Sequence, residues 1–363
     1  MIRKLNRIIQ DFLRPKRLRI GKLLWDKKIK KNKNLIINEK IEMTKIKSII
    51  FLRYDGKIGD MIISTIMFRE IKKKYPNIKI GVLTKGGALD IIKYNKNIDI
   101  IYEYKKGNEK KLGKMITKEN YDILIDFSEV LRVNQMKLIK LCNAKINVGL
   151  NKKEWNIFDI SYEKSRKKHI SNVYKNILGI LNINNPDLNY KIVIPSKIDE
   201  KIKLLIGDDT NIIVINPYAA SKHRSLYKEK VIEICKKINK ENKYKIYLIG
   251  EKSKENEINE ITKDLEGNAR YIKLDGILEV ASLIKKSNFI ISPDTSIIHI
   301  AATFKKPLVG IYRQDTDDSN SIVWAPNYKE GKQIFSKDVA TLGEESDINK
   351  FDIKEIERIF NKC

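Results

Sequence analysis

"NFIISPDTSIIHIAATFKKPLVGIY" spans Asn288–Tyr312 and carries one repeat of the fold. The apolar run that starts at Phe289 and ends at Ser292-Pro293-Asp294 reads as a strand. Thr295–Phe304 has the spacing of a helix, and Leu308–Tyr312 is a second strand. The same order recurs along the chain. "SIIFLRY" is a strand, "DGKIGD" a loop, and "MIISTIMFREIKKKYP" a helix stopped by Pro76. "IKIGVLT", "IDIIYEY", "YDILIDFS" and "INVGL" follow as strands with helices between. "NINNPDLNY" reads as a linker. The alternation restarts at "NIIVINPYAAS" and continues through "KIYLIG" and "RYIKLD" to the opening stretch. Apolar strands alternating with helices predict parallel sheets covered on both faces. Two doubly wound α/β domains in tandem follow, with ligands beyond the carboxyl ends of the strands.

Composition limits the function classes. The chain has 363 residues, 42% of them hydrophobic, which is enough for two cores and excludes a disordered protein. Its formal charge is +27. Residues 1–50 hold 16 Lys and Arg against 4 Asp and Glu. Such a balance favours anionic partners: nucleic acid, an anionic membrane face or a phosphorylated substrate. Cys142, Cys235 and Cys363 make no metal-ligand spacing and no disulfide framework, which fits a reducing cytoplasm. No apolar run reaches the roughly 18 residues of a membrane span, and no signal-peptide h-region is present.

At the N-terminus, Ile2, Leu5, Ile8, Ile9, Phe12 and Leu13 recur at helical spacing among Arg and Lys, with Pro15 expected to break the pattern. Leu23, Leu24 and Trp25 form a second apolar cluster, and a Lys/Asn run follows as a solvated linker. This basic amphipathic unit suits an anionic bilayer surface, or equally a helix packed on the protein's own body.

Three strand–helix junctions concentrate polar groups. In "RYDGKIGDMIIS" (Arg53–Ser64), Gly56 and Gly59 allow a tight turn, and Asp60 falls near the first turn of the next helix. Alone, Asp60 reads as readily as an N-terminal helix aspartate. No GxGxxG fingerprint is present. In "NPYAASKHRSLY" (Asn216–Tyr227), Lys222, His223 and Arg224 precede a helix, placed for a diphosphate or simply solvated. In the opening stretch, the helix start near Thr295 and Ser296 offers free N–H groups and hydroxyls for phosphate. Asp294 can accept from sugar hydroxyls. His299 lies one turn on, facing the same mouth or serving as a core residue.

The order of these motifs resembles glycosyltransferase family 9, the heptosyltransferases of lipopolysaccharide core assembly, over roughly residues 47–345. Ile58-Gly59-Asp60, the "YDILIDFSEVLRVNQMKLIKLCNAKINVGL" segment, "NPYAASKHRS" and Asp294-Thr295-Ser296 followed by His299 and Ala301 carry the resemblance. Tyr218, Ser225 and Ser296 depart from the family pattern. The resemblance implies a GT-B fold: two Rossmann-like domains facing a central cleft. Its expected parts are a basic extension (1–45), an acceptor-binding domain (46–185), a nucleotide-sugar-binding domain (186–345) and a C-terminal helix (346–363). It implies inverting, metal-independent transfer of a heptose or related sugar from a nucleotide diphosphate donor such as ADP-heptose to a lipopolysaccharide or lipooligosaccharide core. No cofactor is expected, and the "DTDD" run at Asp315–Asp318 is not expected to bind metal. By the same resemblance Asp60 is the general base, with Gly59 and Lys57 in the acceptor-side loop. Lys222, Arg224, Glu255, Asp294, Thr295, Ser296 and His299 face the donor. The partners are then a nucleotide sugar, a phosphorylated glycolipid and, through residues 1–30, an anionic membrane surface at the inner face of the inner membrane. Two other readings compete: a nucleotide-binding protein without catalysis, and a basic nucleic-acid-binding protein. The aromatics lie mostly inside strands and helices, which disfavours the second.

Overall fold

The computed structural model describes residues 2–27, 33–265, 267–315, 320–340 and 347–363. Helix α1 (Ile2–Trp25) precedes a two-stranded hairpin, β1 (Ile36–Ile37) and β2 (Lys40–Ile41). The first half then runs β3 (Ser48–Leu52), α2 (Ile58–Lys74), β4 (Lys79–Thr84), α3 (Gly87–Ile92), β5 (Ile100–Glu103), α4 (Glu109–Lys118), β6 (Ile123–Asp126), α5 (Val133–Cys142), β7 (Ile146–Leu150), β8 (Ile160–Tyr162) and α6 (Ser171–Ile180). The second half runs α7 (Ser196–Ile206), β9 (Ile212–Ile215), α8 (Lys228–Ile238), β10 (Lys245–Leu248), α9 (Glu255–Lys263), β11 (Ala269–Tyr271), α10 (Ile277–Lys286), β12 (Phe289–Pro293), α11 (Ser296–Thr303), β13 (Leu308–Asp315), α12 (Asn320–Val323), β14 (Gly331–Ala340) and α13 (Ile353–Phe360).

Each half forms a six-stranded sheet, in the orders β5-β4-β3-β6-β7-β8 and β11-β10-β9-β12-β13-β14. Every pairing within these two sheets is parallel. Both sheets therefore wind outward in two directions from their first strand, and their switch points lie at β3/β6 and β9/β12. The strand sequences explain the double cover. All residues of β3, β6, β9 and β12 are buried, as expected of continuous Ile, Leu and Val runs with helices on both faces. One apolar cluster crosses the junction of the halves. It joins Ile62 and Ile66 of α2 with Ile297, Ile298 and Ile300 of α11, and includes Tyr190 and Ile192 of the connecting segment.

The structure revises the sequence reading in several places. Pro15 does not end the N-terminal helix, which is continuous from Ile2 to Trp25. A proline removes one helical hydrogen bond and crowds one carbonyl, a loss the docking of the following turns offsets. Strand β14 escaped the periodicity reading because it is a half-exposed edge with Lys and Gln among its apolar residues. The three-residue edge strand β8 and helix α7 were also missed. The Lys/Asn linker lies largely outside the described residues, as does "DTDD" apart from the backbone of Asp315.

Close packing in the first sheet depends on Gly81 in β4. A Cβ there would run into the Tyr121 hydroxyl and lie 2.7 Å from its ring Cζ, while that hydroxyl sits 3.2 Å from the Tyr102 hydroxyl. Gly81→Ala should cost about 1–3 kcal/mol in denaturant unfolding, as overpacking does. Adding Tyr121→Phe should recover part of it; full additivity of the two losses would refute the steric account.

Candidate active site

Asp60 is the third residue of α2, after Lys57, Ile58 and Gly59. Its side chain does not cap the helix. The loop N–H of Lys57 instead donates to Asp55 Oδ1 at 3.2 Å. The Asp60 carboxylate turns to Arg53, whose Nη2 lies 3.2 Å from Oδ1; Lys57 Nζ lies 4.0 Å from Oδ2. Arg53 is itself held on every side. Its Nε donates to Ser64 Oγ at 3.2 Å, its Nη2 to the Tyr174 hydroxyl, and its guanidinium stacks 4.7 Å from the Phe127 ring. Ser64 and Tyr174 also donate to the Asp60 carbonyl, at 2.8 and 3.3 Å. Burial pushes the Asp60 carboxyl above the usual carboxylate range, and Arg53 pulls against that rise. Burial disfavours the Arg53 charge too, but Tyr174, Asp60 and Asp55 more than offset it. Asp60 is thus a carboxylate raised by desolvation and kept ionisable by one buried cation.

The end of β6 lies at the same switch point. Asp126 is fully buried there, accepts from Ser128 Oγ at 2.5 Å, and leaves Oδ1 without a partner among the described residues. Burial raises its pKa to about 6. Lys152 supports the following loop by donating to the carbonyls of Ser128, Leu150 and Glu129 at 2.5, 2.6 and 3.2 Å.

In the second half, Asn216 beyond β9 donates to Ser292 Oγ at 3.0 Å and to Thr295 Oγ1 at 3.3 Å, tying the two switch-point strands together. Thr295 caps α11 by accepting from the Ile297 N–H at 3.3 Å. Arg224 Nη2 pairs with Asp294 Oδ2 at 2.8 Å and donates to the Asp294 carbonyl at 2.8 Å; Asn320 adds a bond of 3.2 Å to Oδ2. Ser225 closes its own loop, accepting from Ala219 N–H and donating to the Ser221 carbonyl, both at 3.0 Å. Lys222 is exposed in the single turn Lys222–Arg224. Glu255 begins α9 beyond β10 and pairs with Lys273 at 3.4 Å.

The two halves meet at Gly59. A Cβ there would stand 2.8 Å from His299 Cδ2 and 3.6 Å from Ser296 Cα, so α2 and α11 touch at their N-terminal turns. His299 is buried between the Tyr190 and Trp324 rings, with centroids at 6.0 and 6.1 Å. Its Nδ1 has no partner among the described residues, and burial lowers its pKa to about 3. Burial likewise lowers His169, whose Nδ1 accepts from the Ser171 N–H at 3.1 Å, to about 4. Of the residues singled out in the sequence, the structure joins Lys57 to Asp60, Gly59 to Ser296 and His299, and Arg224 to Asp294. It shows no contact from Lys222 or Glu255 to these groups among the described residues. Arg53, Tyr174, Asn216, Asn320 and Asp126 were not assigned from sequence; only an Arg closing an apolar strand hinted at the first. The cavity beside Arg224, Asp294 and Asn320 holds about 80 Å³. A larger one, about 620 Å³, lies by Asn38, Tyr162 and Asn176, away from all of them. Among the described residues no cluster of His, Cys, Asp and Glu is arranged to hold a metal.

Residues 110–338 match glycosyltransferase family 9 (heptosyltransferase). That is more than half of the chain, which belongs to this family and is a glycosyltransferase. An Escherichia coli (strain K12) protein with the provisional name lipopolysaccharide heptosyltransferase 4 is 27% identical over 322 residues, 84% of this chain and 85% of that protein. The family 9 glycosyl transferase structure from Veillonella parvula DSM 2008 superposes with a TM-score of 0.73 at 16% identity, covering 87% of this chain and 98% of that one. The E. coli ADP-heptose lipopolysaccharide heptosyltransferase II structure gives 0.68 at 16% identity, covering 87% and 99%. The fold is GT-B.

The Gly59–His299 contact has two consequences. Gly59→Ala forces the His299 ring or α11 to move and should cost about 1–3 kcal/mol in unfolding experiments; a neutral result would mean the halves do not rest on this contact. The two histidines remain neutral in the fold at pH values where the unfolded chain protonates them. Stability present above pH 6.5 is therefore lost as pH falls toward their folded values, by about 1.4 kcal/mol per pH unit for each. His299→Gln should flatten the slope of stability between pH 6.5 and 4.5 by that amount, whatever it does to stability at pH 7.

Proposed function

We propose that this glycosyltransferase moves a heptose from ADP-heptose to a lipopolysaccharide or lipooligosaccharide core acceptor, with inversion and without a metal, at the inner face of the inner membrane. Family membership supports the sugar class. The name of the E. coli K12 relative supports the acceptor. The observation that supports the mechanism is the meeting of Gly59, the neighbour of Asp60, with Ser296 and His299 across the junction of the two sheets.

In the proposed step an acceptor hydroxyl oxygen attacks the anomeric carbon from the side opposite the diphosphate. The bond from that carbon to the diphosphate oxygen breaks, its electron pair leaves with ADP, and the hydroxyl proton passes to Asp60. Attack from the opposite side inverts the anomeric centre. Asp60 must be ionised to act, and burial makes it a stronger base than a solvated aspartate. Arg53 pulls its pKa back down, toward the ionised form the step needs. Lys222 and the N–H groups opening α11 neutralise the leaving diphosphate, Asp294 and Glu255 accept from sugar hydroxyls, and Arg224 orients Asp294.

Asp60→Asn should lower kcat at least 10²-fold while calorimetry shows ADP binding within a few-fold of wild type. Turnover within a few-fold of wild type would remove Asp60 as the base. ADP binding without turnover of any donor by wild type would leave a nucleotide-binding protein. The acidic limb of the kcat/KM profile reports Asp60, because activity disappears as the carboxylate is protonated. Arg53→Met removes the group that lowers its pKa and should move that limb to higher pH; an unmoved limb would assign it to another group.

A further inference from the structure

Among the described residues, the last turns of helix α1 pack on the first half of the chain. They lie along α5 in register: a Cβ at Gly21 would meet Val133 and Met136, Lys137 Nζ sits 5.8 Å from the Trp25 ring, and Lys140 Nζ donates to the Lys27 carbonyl at 3.5 Å. Asp26 Oδ1 accepts from the Ile157 N–H at 2.8 Å, and Lys22 donates to the Glu154 carbonyl at 3.2 Å while covering the Trp155 ring. Residue numbers rise together along both helices, so α1 and α5 point the same way. Helix α5 starts just after β6, at the carboxyl edge of the first sheet. The part of α1 before Leu18 therefore projects past that edge, the one on which Asp60 stands. Residues 2–17 of the helix make an arm of about 24 Å at 1.5 Å per residue.

The face of α1 turned away from α5 is apolar. Phe12, Ile20, Leu23 and Leu24 are 64, 59, 75 and 57% exposed. By helical angle they lie opposite Leu18, Gly21 and Trp25. Basic residues Lys16, Arg17 and Arg19 share or border that face. An apolar stripe on a basic helix matches an anionic bilayer surface. It matches a second copy of itself poorly, because the same positive charges would face one another.

We propose that the exposed face of α1 enters the interfacial layer of an anionic bilayer, and that its docked end holds the Asp60 edge of the first sheet at a fixed attitude to that layer. The second half rests on the reading of a lipid-linked acceptor; the first does not.

The test uses the full chain. Cosedimentation with vesicles of phosphatidylcholine, alone or with one-third phosphatidylglycerol, should show binding to the anionic vesicles, weakened by salt. Phe12→Asp with Leu23→Asp, both away from the docked face, should reduce that binding at least tenfold with an unchanged melting temperature. Equal binding to neutral vesicles, or binding indifferent to the two substitutions, would overturn the proposal. So would a concentration-dependent dimer abolished by them, which would make the stripe a self-association surface. Trp25→Ala with Asp26→Ala loosens only the docked end. Vesicle binding should persist while turnover of acceptor in vesicles falls at least fivefold relative to detergent-dispersed acceptor. An unchanged ratio would leave a tether without orientation. If wild type turns over no acceptor, the vesicle-binding arm still stands, and it is the transferase reading that fails.

Discussion

The contact of Gly59 with His299 is the constraint on which the arrangement of the site depends. The N-terminal turns of two helices approach this closely only where one of them has no side chain, and the glycine at the second position of α2 supplies that. Its neighbour Asp60 is then delivered to the junction, not to solvent. The apolar faces of α2 and α11 bury Ile62, Ile66, Ile298 and Ile300 immediately behind it. Each such side chain contributes about 2–3 kcal/mol on removal from water. Apolar burial holds the halves together, and the glycine decides how closely their polar ends approach.

That approach creates an electrostatic problem, because both helices present the positive ends of their dipoles to the same region. Local groups offset it. Asp60 lies in the first turn of α2, Thr295 satisfies an N–H of α11, and Asp294 precedes that helix. The histidine in contact with Gly59 stays neutral, so it adds no further charge. Arg53 would worsen the balance were it not paired with Asp60 and surrounded by Ser64, Tyr174 and Phe127. A buried pair of this kind contributes little net stability, since desolvation consumes much of the attraction. Its effect is to fix the position and charge state of one carboxylate.

Much of the fold was legible because strands buried on both faces cannot hide their apolar runs. β3, β6, β9 and β12 stand out as near-continuous Ile, Leu and Val, and they are the strands that make the switch points. The sheet strands that escaped are edges. β14 and β8 touch the core with one face or a few residues, so their sequences carry half the signal. The site divides in the same way. The sequence positions of Asp294 and Thr295 stand out because they follow a strong strand directly, and that of Asp60 because it opens a helix one short loop after another. Arg53 and Tyr174 gain their importance from partners 7 and 114 residues away from them. Spacing along a chain says nothing about such a pairing.

The second half distributes its positive charges unequally, and this bears on what each can do. Arg224 lies near Asp294 at 2.8 Å, and Asn320 holds the same carboxylate oxygen. A guanidinium engaged in that way presents little unbalanced charge to an arriving anion; it sets the direction of Asp294. Lys222, two residues earlier, is exposed and makes no ion pair among the described residues. An ammonium on a flexible stem retains its full charge and can follow an anion as it moves. The cavity beside Asp294 is about 80 Å³, several-fold smaller than the pockets that enclose small-molecule ligands. That cavity is lined by residues of the second half alone, Tyr312, Arg313 and Ile348 among them. An exposed lysine thus keeps its charge available, where an arginine already committed to its neighbour does not.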